Sequence, residues 1–211
     1  MILHGNSLSP FVRKVMVYAS EKGIALDNKP AFGRKDPEFL ALSPFGKIPA
    51  FEDGDYRLAD STAIVHYLEA KYPEPALIPV EARAKGRAMW FDEFADTIMV
   101  AQLGPVFFNR VVAPMMGMPS DLALADKLVA DHWPRIADYL EGVIPDSGFL
   151  VGDRLTIADI AVASPFVNFD YAGIAVDAST HPKLANWVAT MLARPSFAPI
   201  IAAERAFVGP K

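Results

Sequence analysis

Ser9 stands directly before Pro10, and a serine followed by proline is a common way to begin a helix. Its ordinary task is to cap that helix. Its chemical alternative is to donate a hydrogen bond to an anion held at the helix start, where free amides and the helix dipole favour negative charge. A thiolate is such an anion. A hydroxyl donating to it favours the ionised form. Lowering a thiol pKa by about 2 units takes roughly 2.7 kcal/mol, within reach of one charge-assisted hydrogen bond plus the dipole. Ser9 would then serve a ligand's sulfur and not act as a nucleophile, since no Gly-x-Ser-x-Gly motif is present and no histidine has a triad-like spacing.

Two further groups extend this chemistry, Gly46-Lys47-Ile48-Pro49 and Asp60-Ser61. Pro49 falls in an extended stretch, where it cannot donate to a ladder. It is either an edge-strand proline or half of a cis Ile48-Pro49 bond. The cis form would turn the N–H and C=O of Ile48 toward a ligand that adds itself as an extra strand. Asp60-Ser61 on its own is a helix cap. As a binding pair, Ser61 and its backbone amide suit a carboxylate, and Asp60 suits an ammonium. Lys47, Lys35 and Arg13 taken singly read as solvated surface charges, although all lie on segments bordering the same place. The three groups together suit a small, zwitterionic, thiol-bearing peptide.

The elements that must position these residues are short in the first third. Met1 to Leu3 reads as a buried strand. Pro10 opens a helix in which Val12, Val15, Met16 and Ala19 recur at helical spacing up to Gly23. Ile24 to Lys29 suits a second strand, followed by a loop over 33–37. Ile48 to Phe51 and Tyr56 to Leu58 predict a hairpin turned at Asp53-Gly54. Ser61 to Tyr72 predicts a helix stopped by Pro73-Glu74-Pro75. After about residue 80 only helical patterns recur. Phe91, Phe94, Ala95 and Ile98 keep a 3.6-residue stripe that Gly104-Pro105 should kink or end. Leu124, Leu128 and Trp133 to Leu140 suggest a further pair of helices. Thr156-Ile157-Ala158-Asp159 is a capping box flanked by Leu155 and Ile160 at staple positions. Leu184 to Leu192 and Phe197 to Phe207 complete the helices. The expected fold is α/β plus all-α, a βαβ–ββα domain over 1–77 followed by an all-helical domain over 83–211.

Composition sets the limits. The chain has 211 residues, 52% of them hydrophobic and 21% charged, which describes a globular protein with a sizeable core. A net charge of −5 argues against nucleic acid as a partner. With no cysteine, disulfides, thiolate metal sites and a protein thiol nucleophile are excluded. The expected setting is soluble and cytoplasmic, with no membrane partner: the N-terminus lacks a secretory pattern, and the apolar run from Ile157 to Val167 is short and carries Asp159. His4, His66, His132 and His181 lack metal spacing, and Trp90, Trp133 and Trp187 are assigned to the core.

Ser9-Pro10-Phe11-Val12-Arg13-Lys14-Val15, Glu21-Lys22-Gly23-Ile24, Pro44-Phe45-Gly46-Lys47-Ile48-Pro49, Asp60-Ser61-Thr62-Ala63-Ile64 and Leu155-Thr156-Ile157-Ala158-Asp159 together resemble a cytosolic glutathione transferase. The resemblance spans essentially the whole chain. It implies a thioredoxin-like N-terminal domain, an α-helical C-terminal domain, glutathione as co-substrate, no metal, and a homodimer. It also implies that Ile48 and Pro49 clasp the cysteinyl backbone of glutathione and that Asp60 and Ser61 hold its γ-glutamyl end. Lys47 and Lys35 would meet a carboxylate. Tyrosine-type members carry their hydroxyl near the end of the first strand, but no tyrosine precedes Tyr18; cysteine-type members place Cys where Ser9 stands. A serine-type mechanism, resembling theta and phi enzymes, is what remains, with Ser7 as the competing hydroxyl. Ser43 replaces the commoner Asn before Pro44, Asp60 replaces the commoner Glu, and the zeta-type Ser-Ser-Cys signature is absent.

The apolar electrophile should bind between the domains, with Phe11, Phe107, Phe108, Val111, Met115 and Met116 as candidates. Helical spacing equally suits such residues to the core. Phe45 resembles an aromatic that reaches into the partner subunit in some classes, and a loop aromatic that packs locally suits it equally. Two rival readings use the same scaffold. One turns the thiolate to dehalogenation, aryl-ether cleavage or isomerisation. The other is a binding module without chemistry, which has no need of Ser9 and the glutathione contacts.

Overall fold

The computed structural model describes residues 1–33 and 35–209, and the chain divides into two compact units after Ile78. Arg34, in the expected 33–37 loop, lies outside the described residues. The first unit is built on β1 (Ile2–His4), β2 (Asp27–Lys29), β3 (Ala50–Asp53) and β4 (Tyr56–Ala59), ordered β2-β1-β3-β4. β1 and β2 are parallel, with Leu3 opposite Asn28. β3 runs antiparallel to β1 and β4, so that Phe51 faces both Leu3 and Leu58 in register. A parallel pair needs a crossover, and α1 (Pro10–Glu21) supplies it. Its Val12, Val15 and Ala19 are buried as their spacing predicts. At the β3–β4 hairpin Gly54 adopts φ +64°, the left-handed backbone that a two-residue turn asks of glycine.

Asp36-Pro37, read from the sequence as the end of a loop, starts a short helix, α2 (Pro37–Leu42). Asp36 Oδ1 accepts from the Phe39 N–H at 3.0 Å, and Phe39 is buried beneath it. α3 (Ser61–Lys71) packs on α1 and β4 through Ile64, Val65 and Leu68. Near its end, the Glu69 carboxylate accepts from Tyr18 Oη and Lys22 Nζ, both at 2.5 Å, and from the Leu77 and Ile78 amides at 3.0 Å. Burial opposes ionisation there, yet the bonds from Lys22 and Tyr18 hold the Glu69 pKa below its usual value. One carboxylate thus ties α1, α3 and the segment leaving them. Four strands with α1, α2 and α3 form the thioredoxin-like arrangement.

Helices are the only regular elements among the second unit's described residues. α4 runs from Ala82 to Met115, with π-type turns at Ala95–Val100 and Phe108–Val112. Gly104-Pro105 does not end it. Pro105 lacks the N–H that would reach back along the helix, and Asn109 Nδ2 donates to its carbonyl at 2.9 Å. A π turn inserts one extra residue, which moves the buried stripe on. Phe91, Phe94 and Ala95 are buried as predicted, but the next buried position is Met99, and Ile98 is half-buried. By length and composition α4 is apolar enough to cross a membrane. Here one face of it contributes to the core, with Phe91, Met99 and Leu103 fully buried.

α5 (Leu122–Val143) is one helix where the sequence suggests a pair, and it carries Pro134 inside it. α6 (Ile157–Tyr171) is buried on every side except at Asp170 and packs against α4. α7 (Pro182–Leu192) and α8 (Ala198–Val208) follow. The start of α6 is locked by Asp159. Its Oδ2 accepts from the Thr156 N–H at 2.9 Å and the Thr156 hydroxyl at 3.3 Å, while Oδ1 accepts from the Leu150 N–H at 2.8 Å. Burial is the stronger influence and pushes the Asp159 pKa up to about 6. Trp187 is buried, and Trp133 packs edge-on to Phe166 and Phe169. Trp90 is not in the core: it is 43% exposed, its Nε1 donating to Tyr139 Oη at 2.7 Å.

Candidate active site

A cleft of about 990 Å³ opens in the first unit, and every described residue lining it lies between Ser9 and Ser61. One wall is the start of α1. The Asn6 carbonyl accepts from the Ser9 N–H at 3.0 Å, and the Ser9 carbonyl accepts from the Arg13 N–H at 3.0 Å, so Ser9 is the N-cap residue by its backbone. Its side chain makes no capping hydrogen bond. The hydroxyl group's residue borders the cleft instead, as does Phe11. Gly5, just upstream, has no room for a side chain, because a Cβ there would meet Val12 Cγ2 at 2.4 Å. The close pass of β1's exit against α1 fixes where the helix begins. Ser7 is not among the lining residues.

The opposite wall is the loop from Ser43 to Pro49. Ser43 is buried, and its Oγ accepts from the Lys47 N–H at 3.0 Å while its carbonyl accepts from the Gly46 N–H at 2.8 Å. Gly46 has φ +67°, and its carbonyl would lie 2.4 Å from a Cβ on Gly33. Two backbone segments meet there because both residues are glycine. The Ile48-Pro49 bond is cis. Pro49 is buried, Ile48 half-buried and Lys47 exposed, and all three line the cleft.

The third wall is the end of β4 and the start of α3. Asp60 has φ +82°, outside the regions that ordinary L-residues favour, and it is the one non-glycine residue with positive φ among the described residues. Its Oδ1 accepts from the Ala63 N–H at 3.1 Å and its carbonyl from the Ile64 N–H at 3.0 Å. Ser61, 2% exposed, follows at the first helical position. Lys14 is buried and its Nζ donates to Thr62 Oγ1 at 3.1 Å, linking the first turns of α1 and α3. The helix starts that carry Ser9 and Ser61 are therefore joined behind the cleft.

Of the residues singled out from sequence, the cleft gathers Ser9, Phe11, Lys47, Ile48, Pro49, Asp60 and Ser61. Lys35 is exposed and is not among the lining residues. Arg13 is a correction: it is fully buried on the inner face of α1, not a solvated charge. In the second unit, Phe107 and Val111 are buried in α4, whereas Phe108, Met115 and Met116 are exposed. Arg57, which no sequence signal marked, lines the cleft from β4. Lys47, Arg57 and Asp60 are the charged groups among its described lining residues. Among the described residues, no group of three or more His, Asp or Glu side chains is placed to hold a metal ion.

Comparison with known proteins gives this architecture a family. The model for the glutathione S-transferase N-terminal domain matches residues 3–76, and that for the glutathione S-transferase C-terminal domain matches residues 106–195. Glutathione S-transferase 3 of Zea mays is 32% identical over 208 residues, covering 95% of this chain and 93% of that protein. A crystal structure of a glutathione S-transferase from Rhodospirillum rubrum F11 matches with a TM-score of 0.86 at 29% identity, covering 94% of this chain and 90% of the other. A structure of glutathione S-transferase-I bound with lactoylglutathione matches with a TM-score of 0.84 at 25% identity, covering 95% and 98%. A thioredoxin-like unit followed by an all-helical unit is thus the shared fold. The chain belongs to the glutathione S-transferase family.

Proposed function

We propose that this glutathione transferase is of the serine type, with Ser9 holding the sulfur of glutathione as a thiolate. One observation carries the reading: Ser9 occupies the N-cap of α1 and borders the cleft, yet its hydroxyl does not cap the helix. The chain has no cysteine, and its first tyrosine, Tyr18, is buried and donates to Glu69. Glutathione lies along the Ile48-Pro49 segment, with its γ-glutamyl ammonium at Asp60, the adjoining carboxylate at Ser61 and Lys47 near a carboxylate. The Ser9 hydroxyl donates to the thiolate, and the α1 dipole adds to its stabilisation. The thiolate then attacks an electrophilic carbon. A C–S bond forms, and the leaving group departs with the electrons of the bond that breaks.

Phe11, Phe107, Phe108, Val111 and Met115 are the residues proposed to meet the apolar co-substrate. The working form is a cytoplasmic homodimer, and Phe45, 87% exposed on the loop before β3, is the side chain proposed to enter the partner. The test is conjugation of glutathione to a chloronitroarene by wild type and Ser9→Ala. Turnover should fall about 100-fold, the equivalent of 2 units in the thiol pKa. The glutathione Kd should change less than about threefold. Unchanged turnover in Ser9→Ala overturns the role given to Ser9.

A further inference from the structure

We infer that Arg57 is a specificity-determining residue of the cleft, receiving one of the two carboxylates of the bound peptide. The inference rests on the glutathione reading above. Glutathione carries one ammonium and two carboxylates besides its thiol. Among the described lining residues the cleft offers one carboxylate, Asp60, and two cations, Lys47 and Arg57. The signs and numbers match only when Arg57 is counted. Lys35, the second cation suggested by resemblance, does not line the cleft.

The setting of Arg57 supports the role. It lies on β4 opposite Glu52, three residues before Asp60, the N-cap of α3 that follows the strand. Its side chain is 53% exposed, and the one ion pair it makes among the described residues is long, Nε to Glu52 Oε2 at 3.8 Å. The same carboxylate accepts a much closer contact through its other oxygen, His4 Nε2 to Oε1 at 2.7 Å. Glu52 therefore orients Arg57 without saturating it, and a planar guanidinium retains donors for bidentate binding of a carboxylate. In a protein of net charge −5, two cations against one acid make this cleft locally positive, as an anionic peptide thiolate requires.

The test is calorimetric titration of glutathione into wild type, Arg57→Ala, Arg57→Lys and Asp60→Ala. Arg57→Ala should weaken binding about tenfold, and Arg57→Lys should recover part of that loss. The wild-type affinity should also fall more steeply with added salt than that of Arg57→Ala. Two analogues locate the contact. γ-Glutamylcysteinylglycinamide lacks the glycyl carboxylate, and 4-aminobutyryl-cysteinylglycine keeps the ammonium but lacks the γ-glutamyl α-carboxylate. The analogue whose affinity no longer responds to Arg57→Ala identifies the carboxylate that Arg57 holds. If Arg57→Ala binds glutathione as tightly as wild type while Asp60→Ala does not, the role of Arg57 is overturned and the glutathione reading stands. If wild type binds no glutathione, the glutathione reading fails and the role of Arg57 falls with it.

Discussion

Two helix starts in this molecule use similar residues to opposite ends. At α6, Thr156 and Asp159 turn every polar atom inward: the carboxylate takes the Thr156 amide, the Thr156 hydroxyl and the Leu150 amide, and solvent is excluded. At α1, Ser9 has the backbone of an N-cap and leaves its hydroxyl uncommitted to the helix, beside an open cleft. A hydroxyl at a helix start therefore does not reveal its task by position alone. What separates the two is whether a carboxylate on the next turn already holds the hydroxyl and the local amides, as Asp159 does for Thr156. Asp60 at α3 stands between them, capping Ala63 while lining the cleft, with a backbone held at φ +82°.

The comparison breaks first at Asp159. Asp159→Ala strands buried amides and should lower unfolding free energy by roughly 3 kcal/mol. Trp90, Trp133 and Trp187 all lie in the second unit, so tryptophan fluorescence during urea denaturation reads that loss directly. Glutathione affinity of the folded protein should not change. A drop in affinity without a drop in stability would reverse the contrast between the two helix starts.

The same carboxylate sharpens the contrast through pH. Its folded pKa of about 6 lies above its ordinary 3.8. Between these values the folded state keeps a proton that the unfolded chain has released, so this group's contribution is full below about pH 3.8 and is lost as pH rises to 6. About 2 units correspond to roughly 3 kcal/mol for a fully buried group. Relative to Asp159→Asn, wild type should therefore lose stability on that order between pH 4 and 6, measured by the same fluorescence transition. Parallel profiles in the two proteins would count against the perturbed carboxyl.

Smaller effects complete the series. Thr156→Ala should cost about 1 kcal/mol, the usual cost of losing a helix cap hydroxyl. Ser9→Ala should leave the unfolding free energy, followed by circular dichroism, within about 0.5 kcal/mol of wild type, because no capping bond is lost. A Ser9→Ala loss as large as that of Thr156→Ala would make Ser9 an ordinary cap.

Signals confined to a few neighbouring residues were legible in the sequence. Ser9-Pro10, the Gly54 turn and the Thr156 to Asp159 box all act through bonds spanning two to four positions, and each sits where its local chemistry puts it. The long helix over Ala82–Met115 was legible as periodicity, but not its π turns, which shift the stripe from Ile98 to Met99 and depend on how the helix packs. Glu69 gave no signal, because Tyr18 and Lys22 lie 51 and 47 residues before it. Arg13 leaves its expected place and Arg57 was given none, for a similar reason. Charge alone says surface, whereas one is enclosed on the inner face of α1 and the other is carried to the cleft by strand register.

Every described residue lining the cleft comes from one unbroken stretch, 9 to 61, and the Glu69 ties that brace it end at Ile78. In genetic terms this makes the cleft heritable as a block. A single recombination event placed after Ile78 replaces the whole helical unit while carrying the cleft across intact.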